Sequence, residues 1–268
     1  MISHGLPYSR LAHITSTLFA LISLGAAPLL CQTLPGSEIV ISTDRPSVAN
    51  SSVVVPQGGL QFENGLLVTH TQGQFVLDLP ETSVRYGLLD KTELRLTVPD
   101  YFYNLPNGTG TTSGFGDIAI GVKQQLGPLP GSFGLSVIFF LSLPSGANAI
   151  SSHGYDPAFQ LPWSRKLSDH WTLAGQVAFY WPTQAGKRNF TGETTFYLDR
   201  QLTKPWDAFV EYAGDFPERG GARQLLHFGT AYKLARHHQI DFHVAVGLSR
   251  AAPDSFVGFG YSFLFFPK

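Results

Sequence analysis

Taken at alternate positions, the chain places Glu63, Arg85, Glu93, Arg95, Asp117, Lys123, Glu193, Asp199, Glu211, His227, Lys233, Asp241 and His243 on one parity of a series of short segments. Both signs of charge are interleaved along this parity. Arg85 and Arg95 flank the tight "LLDK" turn; across a hairpin they become neighbours, with Glu93 on the diagonal. The same geometry sets His227 and Lys233 beside Asp241 and His243. Two kinds of chemistry suit such a set. It can line a passage that selects solutes by charge and hydrogen bonding, or it can be a mesh of ion pairs that keeps enclosed charges satisfied.

Catalytic chemistry needs a nucleophile and a base that the fold holds within reach. His227 is followed two positions on by Gly229, and His243 by Ala245, so neither has a serine beside it on its strand. Ser151 and His153 have the spacing, but they sit in the loop-like "SSHG" stretch, where no strand fixes them. His237 and His238 adjoin in a predicted turn, too close for usual zinc-ligand spacing and without cysteine support. "GFGDIAIG" has the glycines of a phosphate loop, but it opens a strand rather than a helix. No cofactor, metal site or enzymatic activity is expected.

The elements that must position the charged parity show themselves through the opposite one. Leu60, Phe62, Leu66 and Val68 alternate, as do Phe133 to Leu143, Ile240 to Leu248, and Val257, Phe259, Tyr261, Phe263 and Phe265 in the closing "FVGFGYSFLFF". This period of two marks strands apolar on one side, and about twelve can be counted. Two architectures bury such a side: a soluble sandwich, with the apolar face as core, or a membrane barrel, with that face toward lipid. Only 14% of the 268 residues are charged and 13% are aromatic, too little charge for an ordinary soluble surface. Connections alternate as well. "LLDK", "LSDH", "TKPW" and "ARHH" are tight, whereas "PDYFYNLPNGTGTTSG", "PSGANAISSHGYD", "PTQAGKRNFTG", "GDFPERGG" and "SRAAPD" are long. That is the short-inside, long-outside order of outer-membrane barrels; "HTQGQ" is short for an outside loop and "LGPLPGS" long for an inside turn. Arg165 and Arg200 share the outward parity and are expected at the periplasmic rim, where long basic side chains can snorkel. The expected fold class is therefore all-β: a transmembrane antiparallel up-and-down barrel of about 12 strands.

Eighteen Lys plus Arg against 19 Asp plus Glu leave no basic surplus for nucleic acid. Residues 1–31, with Arg10 ahead of "LFALISLGAAPLL", read as an export signal. Cys31 would be removed with it, or would become a lipidated N-terminus. Residues 32–57 then form a periplasmic lead-in rather than a separate plug domain, and 58–268 form the barrel, in the outer membrane of a bacterium.

"VRYGLLDKTELRL", "SGFGDIAIGVKQQL", "LSLPSG", "KLSDHWTLAGQV" and "AYKLARHHQIDFHVAVGLSRAAPDSFVGFGYSF" together resemble successive hairpins of the outer-membrane transporter family associated with meta-pathway phenol degradation. The resemblance implies an outer-membrane β-barrel transporter with a link to aromatic compounds; it carries over no site residues. The expected function is passive passage of small solutes, aromatic or hydrophobic ones among them. A plugged structural or binding barrel is the alternative, and a membrane-embedded lipid hydrolase a more remote one. The expected partners are outer-membrane lipid, the barrel-assembly machinery and the solute itself.

Overall fold

The computed structural model describes residues 39–105 and 112–267. The signal assigned to 1–31, Cys31 with it, lies outside them. The described strands run, in chain order, β1 (Leu60–Thr71), β2 (Gln74–Leu79), β3 (Ser83–Leu89), β4 (Thr92–Thr97), β5 (Tyr101–Leu105), β6 (Ser113–Phe115), β7 (Ile118–Gln125), β8 (Phe133–Leu143) and β9 (Asp156–Lys166). They continue with β10 (Trp171–Tyr180), β11 (Thr183–Gln184), β12 (Lys187–Arg188), β13 (Thr191–Thr203), β14 (Trp206–Pro217), β15 (Arg223–Ala235), β16 (His238–Gly247) and β17 (Ser255–Phe265). All but β11 and β12, a small ribbon, belong to one antiparallel sheet, and β17 returns to pair with β1 from Leu60↔Phe265 to His70↔Ser255. The β17–β1 pairing closes the sheet, which leaves an unpaired edge only along β6 among the described strands.

Twelve chain passages make the wall, three of them broken: β2 with β3, β4 with β5, and β6 with β7. The breaks fall side by side, at residues 80–82, 98–100 and 116–117. Pro80 and Pro99 supply no amide to the ladder there, and single bonds stitch the crease: Glu81 N to Gly65 O, Val98 N to Thr82 O and Gly116 N to Asp100 O. Residues 99–114, expected as a loop, thus contain β5 and β6, because the aromatic run Tyr101-Phe102-Tyr103 favours a pleated strand. β8 pairs with β7 only as far as Ile118↔Leu143, leaving β6 without it. The loop after β8 covers that edge, with Ala147 N bonded to Phe115 O at 2.8 Å. The short "HTQGQ" connection is a two-residue hairpin turn. Gln72 and Gly73 both have positive φ (49° and 78°), the geometry that matches strand twist.

The molecule is inside out. Phe196 and Phe259 on the outer face are 50% and 55% exposed, while Arg85, Glu93, Lys123 and Glu211 are wholly buried. Only a barrel that meets hydrocarbon outside and encloses its polar groups accounts for that inversion. Arg165 and Arg200 lie at the end that carries the tight turns, as expected. Arg200 pairs in register with Trp171, and its guanidinium sits 5.1 Å from that ring's centroid.

Candidate functional site

The stretch 32–57, expected to trail in the periplasm, is corrected by the structure: its described part, from Ile39, runs through the lumen. The segment enters at the mouth marked by the tight turns, where Ile41 N donates to Arg236 O in the β15–β16 turn. It climbs to an apex at residues 45–50 and descends to the β3–β4 hairpin, where Gly58 N donates to Gly87 O and Gly87 N to Gly59 O. Gly87 has to be a glycine, since a Cβ there would overlap the carbonyl of Pro56. A chain this rich in Pro and Ser forms no ladder of its own, so its backbone amides need other acceptors.

Carboxylates and amides of the wall supply them. Glu63 accepts from Asp44 N (2.9 Å) and Arg45 N (3.0 Å). Glu211 accepts from Val48 N (2.8 Å) and Ala49 N (3.0 Å), Gln176 from Asn50 N (3.1 Å), Gln125 from Val54 N (3.1 Å) and Glu93 from Val55 N (2.7 Å). Sequence reasoning gave these carboxylates to passing solutes or to ion pairs; their holding of backbone amides was missed.

Below the apex Arg85, Arg95 and Glu93 are neighbours, as the hairpin geometry implied, and Glu63 and Lys123 join them. Arg85 and Arg95 are register partners. Arg85 forks onto Glu93 with two bonds of 2.9 Å and reaches Glu63 at 2.7 Å, while Arg95 shares Glu93 at 3.1 Å. Asp44, from the segment, completes the cluster. It pairs with Arg95, with Arg85 at 3.4 Å and with Lys123 at 3.5 Å.

At the apex Arg45 crosses to the opposite wall and bonds Glu81 (2.6 Å), Asp241 (3.2 Å), Phe259 O (3.2 Å) and His243 Nε2 (3.3 Å). Gly65 and Gly260, register partners on β1 and β17, make room for it, since a Cβ at either would collide with the guanidinium. The small face of the closing strand is therefore the seat of this arginine. Because a guanidinium only donates, His243 Nε2 accepts, His243 Nδ1 donates to His227 Nε2 (3.0 Å) and His227 Nδ1 donates to Glu211 (2.7 Å). The relay ends on the carboxylate that also holds Val48 and Ala49.

The remaining expected lining residues scatter. Glu193 lies above the apex, bonded to Gln176 (2.9 Å) and Tyr180 (3.2 Å). Lys233 pairs with Asp207 at 2.6 Å rather than with Asp241, and Asp199 lies near that pair. Asp117 holds a loop: its carboxylate accepts from Gly146 N (2.8 Å) and Ser152 N (2.9 Å), binding the β8–β9 loop to the wall. The His153 ring bonds Asn148 O (3.1 Å) while its backbone N–H donates to Ser151 Oγ (3.0 Å), and His238 bonds the Tyr261 hydroxyl (2.7 Å). Among the described residues no group of His, Cys, Asp or Glu is placed to hold a metal ion.

Above the apex a cavity of about 120 Å³ remains, floored by residues 44–50 and walled by Phe140, Phe256, Tyr180, Gln160 and Glu193, with Arg223 bonded to Asp215 at 3.1 Å. Glu81 and Asp100 line its side at the crease. It is a vestibule closed on the periplasmic side by the segment.

A family model described as "Putative MetA-pathway of phenol degradation" matches residues 43–265, so the match takes in the lumen segment together with the barrel. Among solved structures, the COG4313 outer membrane channel from Pseudomonas putida F1 is 12% identical and covers 80% of this chain and 98% of its own, with a TM-score of 0.59. The KdgM porin in complex with disordered oligogalacturonate is 12% identical (77% and 99% covered, TM-score 0.51), and the NanC porin 9% identical (78% and 100%, TM-score 0.50). At such identities the likeness is one of fold. No curated protein sequence matches the chain.

Proposed function

The chain belongs to the family of the MetA-pathway of phenol degradation, and from that premise we propose that it is an outer-membrane channel for passive passage of small solutes, working without catalysis. Its N-terminal signal would be removed on export, and the barrel-assembly machinery would insert it among outer-membrane lipids. The family's description makes aromatic compounds the first solutes to try, and the rings of Phe140, Phe256 and Tyr180 around the vestibule suit them.

The observation that carries this reading is how the lumen is blocked. The segment is tied to the wall by side chains that accept its amides, with no strand of its own in the sheet. Both its feet stand at the periplasmic mouth, so it can withdraw there while every ladder of the barrel stays intact. A barrel plugged for structure alone has no need of a removable stopper below an outward vestibule.

Planar-bilayer recording of the purified protein, beside a variant lacking residues 39–57, tests this. The intact protein should give brief or small current steps, and the deletion large and persistent ones. Silence from a folded deletion variant would sink the channel reading in favour of a structural barrel.

A further inference from the structure

Where the wall creases, Asp78, Glu81 and Asp100 point into the barrel beside Arg45, close enough to repel one another. With Asp241 they make four carboxylates around one guanidinium. Arg45 answers two of them directly, Glu81 at 2.6 Å and Asp241 at 3.2 Å. Arg45 is the cation that acts on Asp78 and Asp100, and it donates to neither; Arg95, the next guanidinium, is engaged with Glu93 and Asp44. Asp78 and Asp100 are 6% and 7% exposed, and an oxygen of each, Oδ1 in both cases, is buried without a hydrogen-bond partner. Buried acceptors that lack a partner are costly, and two in one charge-deficient corner mark a place for a donor that carries positive charge.

We propose that this corner is a binding subsite for the protonated amino group of a small primary amine, which enters the vestibule from outside. Glu81 and Asp100 line the cavity itself. A primary ammonium brings one positive charge and N–H donors to a corner where carboxylates outnumber the guanidinium. The apolar part of the ligand then faces Phe140 and Phe256 across the cavity. A metal ion suits the corner less well, since among the described residues no acidic group is arranged to ligate one. The inference deepens the vestibule of the channel reading by naming a solute class, but binding here does not require conduction.

Calorimetric titration of the detergent-solubilised protein with benzylammonium, and with benzyl alcohol as its uncharged counterpart, tests it at neutral pH. Benzylammonium should bind at least about tenfold more tightly than the alcohol, and D78N/D100N should lose that preference, as expected when charge-assisted bonds are removed. Asparagine keeps the size of each side chain and relieves repulsion, and heat-modifiable migration on a gel checks that the barrel is closed. Should the double variant fail to fold, D100N alone carries the test, with a severalfold loss expected. Equal affinity for the two compounds, or a variant that still prefers the ammonium, overturns the proposal. A conducting protein that ignores benzylammonium defeats this subsite alone, whereas silence of the deletion variant beside binding by the intact protein defeats the channel reading alone.

Discussion

In the periplasmic half of the lumen, apart from the Lys233–Asp207 pair and Asp199, one cluster sets Arg85, Arg95 and Lys123 among Asp44, Glu63 and Glu93, three cations to three carboxylates. In the outer half Arg45 and Arg223 stand among Asp78, Glu81, Asp100, Glu193, Asp215 and Asp241, two to six. Both halves obey one alternation of side chains, so the contrast lies in what fills them. Asp44 and Arg45 come from the lumen segment, and each of these neighbours reaches the cluster that has the opposite surplus. The cluster below has three cations to two carboxylates until Asp44 arrives; the cluster above is acidic, and Arg45 only lessens this. Below, the charges fasten the segment. Above, they remain for something that enters.

Neutralising one member of the lower half breaks the comparison most severely. Arg85→Met would take from Glu63 its arginine and leave Glu93 with Arg95 alone, both carboxylates being nearly inaccessible to water, and leaving a buried charge unpaired costs about 3–5 kcal/mol. The variant should unfold at markedly lower urea or temperature than the parent, as read by loss of heat-modifiable migration. Asp215→Asn in the outer half gives up the charge of its Arg223 pair but also relieves the acidic excess around it, and should cost less. Equal losses in the two variants would mean that the lower cluster is no more tightly knit than the upper.

The outward alternation, the tight turns and the Arg85–Arg95–Glu93 neighbourhood were legible in the sequence because period and hairpin geometry are local. The lumen segment was not. Residues 39–57 have no periodicity, and their bonds reach Glu211 and Gln176, more than a hundred positions away. Nothing in the spacing of Glu63 or Glu93 distinguishes a carboxylate that binds an arginine from one that also holds an amide. Asp78, Glu81 and Asp100 went unnoticed because Pro99 opens what reads as a loop and Pro80 interrupts the alternation, whereas the wall merely creases there and continues. A hint lay in β17, whose small face, with Gly258 and Gly260, implied that something large would lie against it.

Weakening the tether between the halves should have an intermediate effect. Glu211→Gln exchanges a carboxylate that accepts two backbone amides and a histidine for an amide whose NH2 cannot accept. Hydrogen bonds to a charged group contribute about 1.5–3 kcal/mol each, so release of the apex should rise roughly ten- to hundredfold. Faster hydrogen exchange at Val48 and Ala49, with a matching rise in channel-open time, is the expected result. Exchange at the parent's rate would show that Arg45, rather than Glu211, secures the apex.

The smallest effect belongs to the rim, and it separates the acidic outer half from the loop that borders it. Burial alone would raise the pKa of the Asp117 carboxyl, but bonds from Ser152, Ser151 and the Gly146 amide prevail and hold it below its ordinary 3.8. Its contribution to stability is therefore complete above that ordinary value and is lost as the pH falls through the lower, folded one. On acidification below about pH 4, exchange at Gly146 and Ser152, corrected for the intrinsic rate, should accelerate in the parent. In Asp117→Asn it should already be fast at neutral pH and then insensitive to acid. If both amides hold at low pH in the parent, the loop is secured by Ala147 on β6 instead, and its link to the charged interior is dispensable.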